Sequence, residues 1–190
     1  MDRRLFLSLL SLPLAACSLG ARPGGESVIL PADADRPPDV PYVDSEQDIV
    51  DAMLRLAEVR ADDVVYDLGC GDGRIVNTAA KQYGARGVGI DLDPHLIAVA
   101  RGYSDLAKVS HKTLFKVGDL FDTDLSPATV VSLFLSVDVN KRLRPKLLRE
   151  LKPGSRVVSN RFDMGNTWTP ERTVMLGSRQ IFLWRIPASI

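Results

Sequence analysis

Several things this 190-residue sequence has little of narrow what it can do. It has only two cysteines, Cys17 and Cys70, and only two histidines, His95 and His111. That is too few for a disulfide framework or a zinc site, and no disulfide is expected. Neither sign of charge is in excess, because Lys+Arg and Asp+Glu both total 24. The electrostatic footprint of a nucleic-acid binder is therefore absent, and no nucleic-acid partner is expected. Aromatic residues make up 6% of the chain, which leaves no stacking platform for bases. No apolar run is long enough to span a bilayer, since the longest, from Leu5 to Ala16, covers about 18 Å as a helix against a hydrocarbon core of roughly 30 Å.

That short run is informative in another way. Arg3 and Arg4 precede it, and it ends in Leu14-Ala15-Ala16-Cys17. A basic start, a short apolar stretch and small residues at its end read as a signal peptide. The last four residues resemble a lipobox, which would make Cys17 the lipidated first residue of an exported bacterial lipoprotein on the periplasmic side. Arg3-Arg4-Leu5-Phe6-Leu7 also resembles the twin-arginine signal, which moves folded proteins. Residues 1–16 are thus expected to be removed. Residues 17–40, rich in Pro, Gly, Ala and Asp, bury too little to fold and form a tether. Residues 41–190 form the one domain, expected to be monomeric.

Within that domain the hydrophobic period alternates between strand and helix. Ser45 is read as the cap of a leading helix whose buried stripe is Ile49, Val50, Met53, Leu54 and Ala57. A strand over 64–67, a helix over 74–83, a strand over 87–91 and a helix over 94–106 follow. The last of these is opened by Asp93 as N-cap with Pro94 in the first turn. Strands at 113–117, 129–135 and 156–159 come next, with a helix over 140–151 stopped by Pro153-Gly154. Segments 172–176 and 180–185, separated by Gly177-Ser178, suit a hairpin. The sum is an α/β fold: a doubly wound, Rossmann-like, mostly parallel sheet with an antiparallel C-terminal hairpin.

Ligands of such sheets sit beyond the carboxyl ends of the strands, so the residues there carry the function. Asp67-Leu68-Gly69-Cys70-Gly71-Asp72-Gly73 follows the first strand and opens a helix, and missing Cβ atoms let a ligand approach the backbone. The spacing is GxGxG with an acid ahead of it, and no cation precedes Arg74, so a dinucleotide's pyrophosphate is poorly served. A dinucleotide oxidoreductase is the reading this disfavours. S-adenosylmethionine brings an ammonium and a sulfonium, which acids suit. Asp91-Leu92 ends the second strand, where a carboxylate can take both ribose hydroxyls. Asp119-Leu120 ends the third, where the acid suits the adenine amine and Leu120 the ring. Any one of these acids alone reads equally well as a cap or a loop residue. Three at successive strand ends point to one ligand. The cofactor set is Asp67, Gly69, Cys70, Gly71, Gly73, Asp91, Leu92, Asp119 and Leu120, with Cys70 as a small residue of the loop and Arg74 a partner for a loop acid.

With these motifs the chain resembles the class I S-adenosylmethionine-dependent methyltransferases. More narrowly, Pro41-Tyr42-Val43, Gly71-Asp72-Gly73-Arg74-Ile75-Val76, Asp119-Leu120 and Arg161-Phe162 with Trp168-Thr169-Pro170 resemble the protein-lysine methyltransferases related to the ATP synthase c-subunit enzyme. The resemblance implies a lysine side chain as acceptor. Two departures stand out: Asp91 where that family has Glu, and Leu135-Ser136-Val137-Asp138 where it has a Val-Pro pair. The first keeps a carboxylate on the ribose; the second bears on the acceptor.

Methyl transfer from a sulfonium needs alignment and desolvation, and no metal. A lysine must first lose its proton, which costs roughly 4–5 kcal/mol at pH 7. Candidates to assist are Tyr42, Asp138 and Asn140, with Ser136, Asn160 and Asp163 beside them and Trp168 as a wall. Each of them has an alternative structural reading as a cap, turn or core contact. The acceptor is thus a protein or small-molecule amine, reached from a membrane through Cys17. The competing reading is a lipoprotein that holds the cofactor without turnover, suggested by an export signal on a protein whose ligand is made in the cytoplasm.

Overall fold

A computed structural model describes Val43 and residues 45–188. Tyr42, Cys17 and the rest of residues 1–42 lie outside the described residues. Helix α1 (Gln47–Leu56) buries Ile49, Val50, Met53 and Leu54, the stripe read from the sequence, with Ala57 just past its end. Each such aliphatic side chain contributes about 1.5–3 kcal/mol by leaving water. The expected cap is not formed. The helix opens after Glu46 with no side-chain cap, and the Ser45 hydroxyl instead accepts from Asn160 Nδ2 at 3.3 Å.

Strands β1 (Val64–Leu68), β2 (Arg86–Asp91) and β3 (Thr113–Val117) alternate with α2 (Arg74–Thr78) and α3 (Pro94–Leu106). Asp93 caps α3 as expected, accepting from the His95 amide at 2.7 Å. The helix expected over 74–83 is α-helical only to Thr78; Ala79–Tyr83 widens into a π turn, closed by Gly84 in the left-handed region. From β3 the chain reaches β4 (Val130–Leu133) through turns, with Leu125 and Ala128 tucked into the core. Strand β4 is shorter than the 129–135 expected, because Phe134 and Leu135 leave the ladder. Helix α4 (Val137–Glu150) starts three residues before the expected Asn140, and its cap is Ser136, which accepts from the Val139 amide at 3.3 Å. Strands β5 (Arg156–Asn160), β6 (Arg172–Leu176) and β7 (Arg179–Arg185) complete the sheet.

The strand order is β3-β2-β1-β4-β5-β7-β6. The five strands from β3 to β5 run parallel, while β7 pairs antiparallel with both β5 and β6. This is the doubly wound sheet with the antiparallel hairpin that the sequence implied. Helices α1, α2 and α3 pack over one face, and α4 covers the other over Leu143, Leu147 and Trp184. The chain reverses direction across the sheet between β1 and β4, so the open crevice lies at their carboxyl ends.

Candidate active site

The floor of that crevice is the turn from β1 into α2. Gly69, Gly71 and Gly73 have φ of +79°, +53° and +76°, so every second residue takes a conformation that side chains resist. At Gly73 space is also lacking: a Cβ would lie 2.6 Å from Phe115 Cε1 and 2.8 Å from Ala100 Cβ. Loop and strand are stitched together, since the Gly69 and Cys70 amides both donate to Ile90 O at 2.9 Å. The Cys70 thiol turns away from the crevice into a pocket with Val76, Ile97, Ala100 and Phe115. Burial, then the charges of Asp67 and Asp91, push that thiol far above its ordinary range, so it is inert. Cys70 is thus a core residue, with its amide held by Ile90 O and its carbonyl by the Gly73 amide.

The acids stand at the carboxyl ends of three neighbouring strands, β1, β2 and β3. Asp67 is 3% exposed. Its Oδ1 accepts the hydroxyl of Ser132 on β4, directly across the ladder. Burial pushes its carboxyl up to about 7; the Ser132 hydrogen bond opposes that, while Asp91 and Asp72 add to it. Asp91, half-buried with Leu92 beside it, accepts the Gly71 amide at 2.8 Å and the Asp93 amide at 3.0 Å. Asp119 accepts the Phe121 amide at 2.8 Å, which turns Leu120 and Phe121 onto the core. The Gly118 amide donates to Asp91 O at 2.9 Å, which brings the β2 and β3 ends together. Asp72 and Arg74 form a two-pronged pair, with contacts of 2.7 to 3.2 Å, and a further Arg74 nitrogen donates to Ser45 O. The one cation of the loop is thereby held by an acid, as the sequence reading expected.

The acceptor side is organised differently from expectation. Asp138 is exposed in the first turn of α4 and caps nothing. Asn140 is fully buried, and its Nδ2 donates to Phe162 O at 3.0 Å and Asp163 O at 3.2 Å, which ties α4 to the chain leaving β5. Ser159 adds a hydroxyl to Phe162 O at 2.6 Å. Arg161 takes a left-handed φ of +68° to make this bend, and its guanidinium lies over the Phe162 ring. Trp168 is a structural wall: its carbonyl accepts from Trp184 Nε1 at 2.9 Å and the two rings pack at 5.9 Å. Asp163 is also spent locally, on the Gly165 amide at 2.8 Å. His95 and His111 are exposed on the surface. Sequence reasoning missed Ser132, although a lone hydroxyl within the buried run Val130-Val131-Ser132-Leu133 is itself a signal.

The donor set fits a cationic nucleoside: carboxylates at successive strand tips, a glycine floor without Cβ atoms, and a loop cation already paired. Asp91 would take the ribose hydroxyls, Asp119 with Leu120 the adenine, and Asp67 with the loop backbone the methionyl end. Fold and site together define a class I S-adenosylmethionine-dependent methyltransferase. When bound, that cofactor supplies an activated methyl group; the chain supplies the cleft that orients it and excludes water.

A family profile described as the ANTKMT methyltransferase domain matches residues 67–172. A protein-lysine N-methyltransferase of Saccharolobus islandicus is 44% identical over 138 residues, 72% of this chain and 85% of that protein. The adenine nucleotide translocase lysine N-methyltransferase of Mus musculus is 38% identical over 79% of this chain and 65% of its own length. Among solved structures, an RNA methyltransferase of Salinibacter ruber in complex with S-adenosyl-L-homocysteine superposes with a TM-score of 0.76 at 51% identity, covering 78% of this chain and 96% of that one. The chain belongs to the ANTKMT methyltransferase domain family, and it is an S-adenosylmethionine-dependent methyltransferase.

Proposed function

We propose that this enzyme methylates the ε-amine of a lysine in a protein. The observation that carries the reading is the row of carboxylates at neighbouring strand tips, in a chain 44% identical to a protein-lysine N-methyltransferase along 85% of that protein. The name of the Salinibacter ruber relative raises RNA as a second acceptor. Equal totals of acidic and basic residues favour protein over a polyanion. Incubating the enzyme with labelled cofactor and either total protein or total RNA from source cells decides between them. Label in a protein band, lost on mapping to a single lysine-to-arginine change, is the expected result. Label in RNA alone overturns it. More than one methyl group transferred per enzyme chain excludes the holding role without turnover.

We also infer that residues 1–16 direct export, that Cys17 carries the lipid, and that the domain works as a monomer tethered to a membrane. The lipobox-like Leu14-Ala15-Ala16-Cys17 supports this, and the paired Arg3-Arg4 fits a route that carries folded proteins with a ligand aboard. Cell fractionation of the native chain beside Cys17→Ser tests it: the first belongs with membranes and the second in the soluble fraction. Equal partition of the two would end the proposal.

A further inference from the structure

Two buried carboxamides at the β5 end of the crevice, Asn140 and Asn160, have Oδ1 atoms with no hydrogen-bond partner among the described residues. Leaving a buried carbonyl unpaired costs about 1–3 kcal/mol, so such an atom needs an explanation. For Asn140 one is at hand, since its Nδ2 holds the bend at Phe162 and Asp163. Asn160 has no comparable task. It is fully buried, and its Nδ2 makes one long bond of 3.3 Å to Ser45 Oγ. A hydrophobic residue of the same shape would serve the fold as well.

Its position in the sheet is specific. Along the ladder, Gly89, Asp67, Ser132 and Val158 form one row across β2, β1, β4 and β5. Two residues further along each strand, on the same face, come Asp91 on β2 and Asn160 on β5. These two therefore stand level at the two sides of the crevice mouth. Three strand spacings separate them, about 14 Å. With Asp91 read as the ribose side, Asn160 stands buried at the end of β5 on the opposite, acceptor side. The bend that follows it, with Arg161 left-handed and Phe162 O held by Ser159 and Asn140, fixes its place.

We propose that Asn160 contacts the methyl-accepting amine, its Oδ1 accepting an amine N–H and so aiming the nitrogen lone pair into the crevice between the β1 and β4 tips. This rests on the amine reading above. The lysine gives up its proton to solvent before it enters; the neutral nitrogen then forms the N–C bond as the S–C bond breaks, and the sulfur keeps that electron pair. A carboxamide suits this role better than a carboxylate, which would stabilise the ammonium form and withhold the lone pair.

Labelled-methyl transfer into source-cell protein, cofactor affinity by calorimetry and thermal midpoints of Asn160→Leu, Asn160→Asp and Ser45→Ala test this. Asn160→Leu is expected to lower transfer about 100-fold while cofactor affinity stays within about threefold. Its thermal midpoint is expected to hold or rise, because an unpaired buried carbonyl is removed; a residue with a purely structural role would lower it. Asn160→Asp is expected to move the acidic limb of the rate profile to higher pH. Ser45→Ala breaks the side-chain bond Asn160 makes but leaves Oδ1, and should transfer at close to the parent rate. Transfer by Asn160→Leu within about threefold of the parent overturns the proposal, as does a Ser45→Ala loss of equal size. A parent enzyme that labels no amine strikes the lysine reading and this role together; a labelling parent matched by Asn160→Leu strikes this role alone.

Discussion

The amide of Gly71 donates to Asp91 Oδ2 at 2.8 Å, so the carboxylate assigned to the ribose also holds the glycine loop against the end of β2. One side chain thereby serves two purposes. Asp91→Ala removes a charged hydrogen bond from both, and cofactor affinity is expected to fall roughly 10- to 100-fold by calorimetry. Asp91→Glu keeps the carboxylate and should bind within a few-fold of the parent. An Asp91→Ala protein with unchanged affinity would remove the ribose assignment.

Asp67 is expected to make cofactor binding sensitive to pH near neutrality. With its carboxyl pushed up to about 7 by burial and by Asp91 and Asp72, much of it carries a proton in the free protein. A cation placed against it favours the ionised form, so binding releases a proton, and affinity should rise as the pH goes from 6 to 8. The sign for folding is opposite. The folded group holds its proton better than the unfolded one, whose pKa is about 3.9, so this residue lowers stability as pH rises between about 4 and 7. Asp67→Asn should flatten both trends. Calorimetry in buffers of different ionisation enthalpy counts the released proton, and a count that does not change in Asp67→Asn would contradict the assignment.

The glycines separate into those the fold requires and those it does not. Gly73→Ala places a methyl 2.6 Å from Phe115 at a φ of +76°, and it should cost roughly 2–4 kcal/mol in denaturant unfolding and weaken the cofactor site. Gly118→Ala meets nothing within 4 Å and should leave the midpoint nearly unchanged. Equal midpoints for the two would show that the loop adjusts.

At the opposite end of the sheet Asp63 pairs with Arg156, both largely buried, and accepts from the Thr129 hydroxyl at 2.7 Å and the Arg60 amide at 2.7 Å. Burial pushes the Asp63 carboxyl up, yet the Thr129, Arg60 and Arg156 contacts outweigh it, and the net shift is downward. Its stabilisation is thus present above the unfolded pKa and lost as pH falls through the lower folded value. Arg156→Ala leaves a buried carboxylate unpaired and should destabilise by about 3–5 kcal/mol. Because this pair lies at the amino ends of the strands, cofactor affinity of the folded variant should match the parent; a large affinity loss would refute that separation.

Much of the fold was legible because short-range chemistry set it. Asp93-Pro94 opened α3, the spacing of Ile49, Val50, Met53 and Leu54 gave α1, and Gly177-Ser178 separated the hairpin strands. The start of α4 was misread because Asn140 is an adequate cap by type, while Ser136 is the residue whose backbone is extended there. That the three acids stand at strand tips was legible for the same reason as the strands: an acid just after an apolar run sits at a strand tip wherever the strands align. The acceptor side was not. Asp138 and Asn140 were singled out by residue type, and the fold turned one to solvent and spent the other on the bend at Phe162.

By itself, then, the sequence determined the order of strands and helices, the glycine floor and the acids at three strand ends, since each depends on a few adjacent residues. Only the tertiary structure decided that Ser132 faces Asp67, that Cys70 points into the core, and that Asn160 stands level with Asp91 across the mouth. Asp67 and Ser132 lie 65 positions apart, Asp91 and Asn160 69, and Cys70 meets Phe115 45 positions further on, along strands whose register is set by the whole packed sheet, so no local preference encodes these relations.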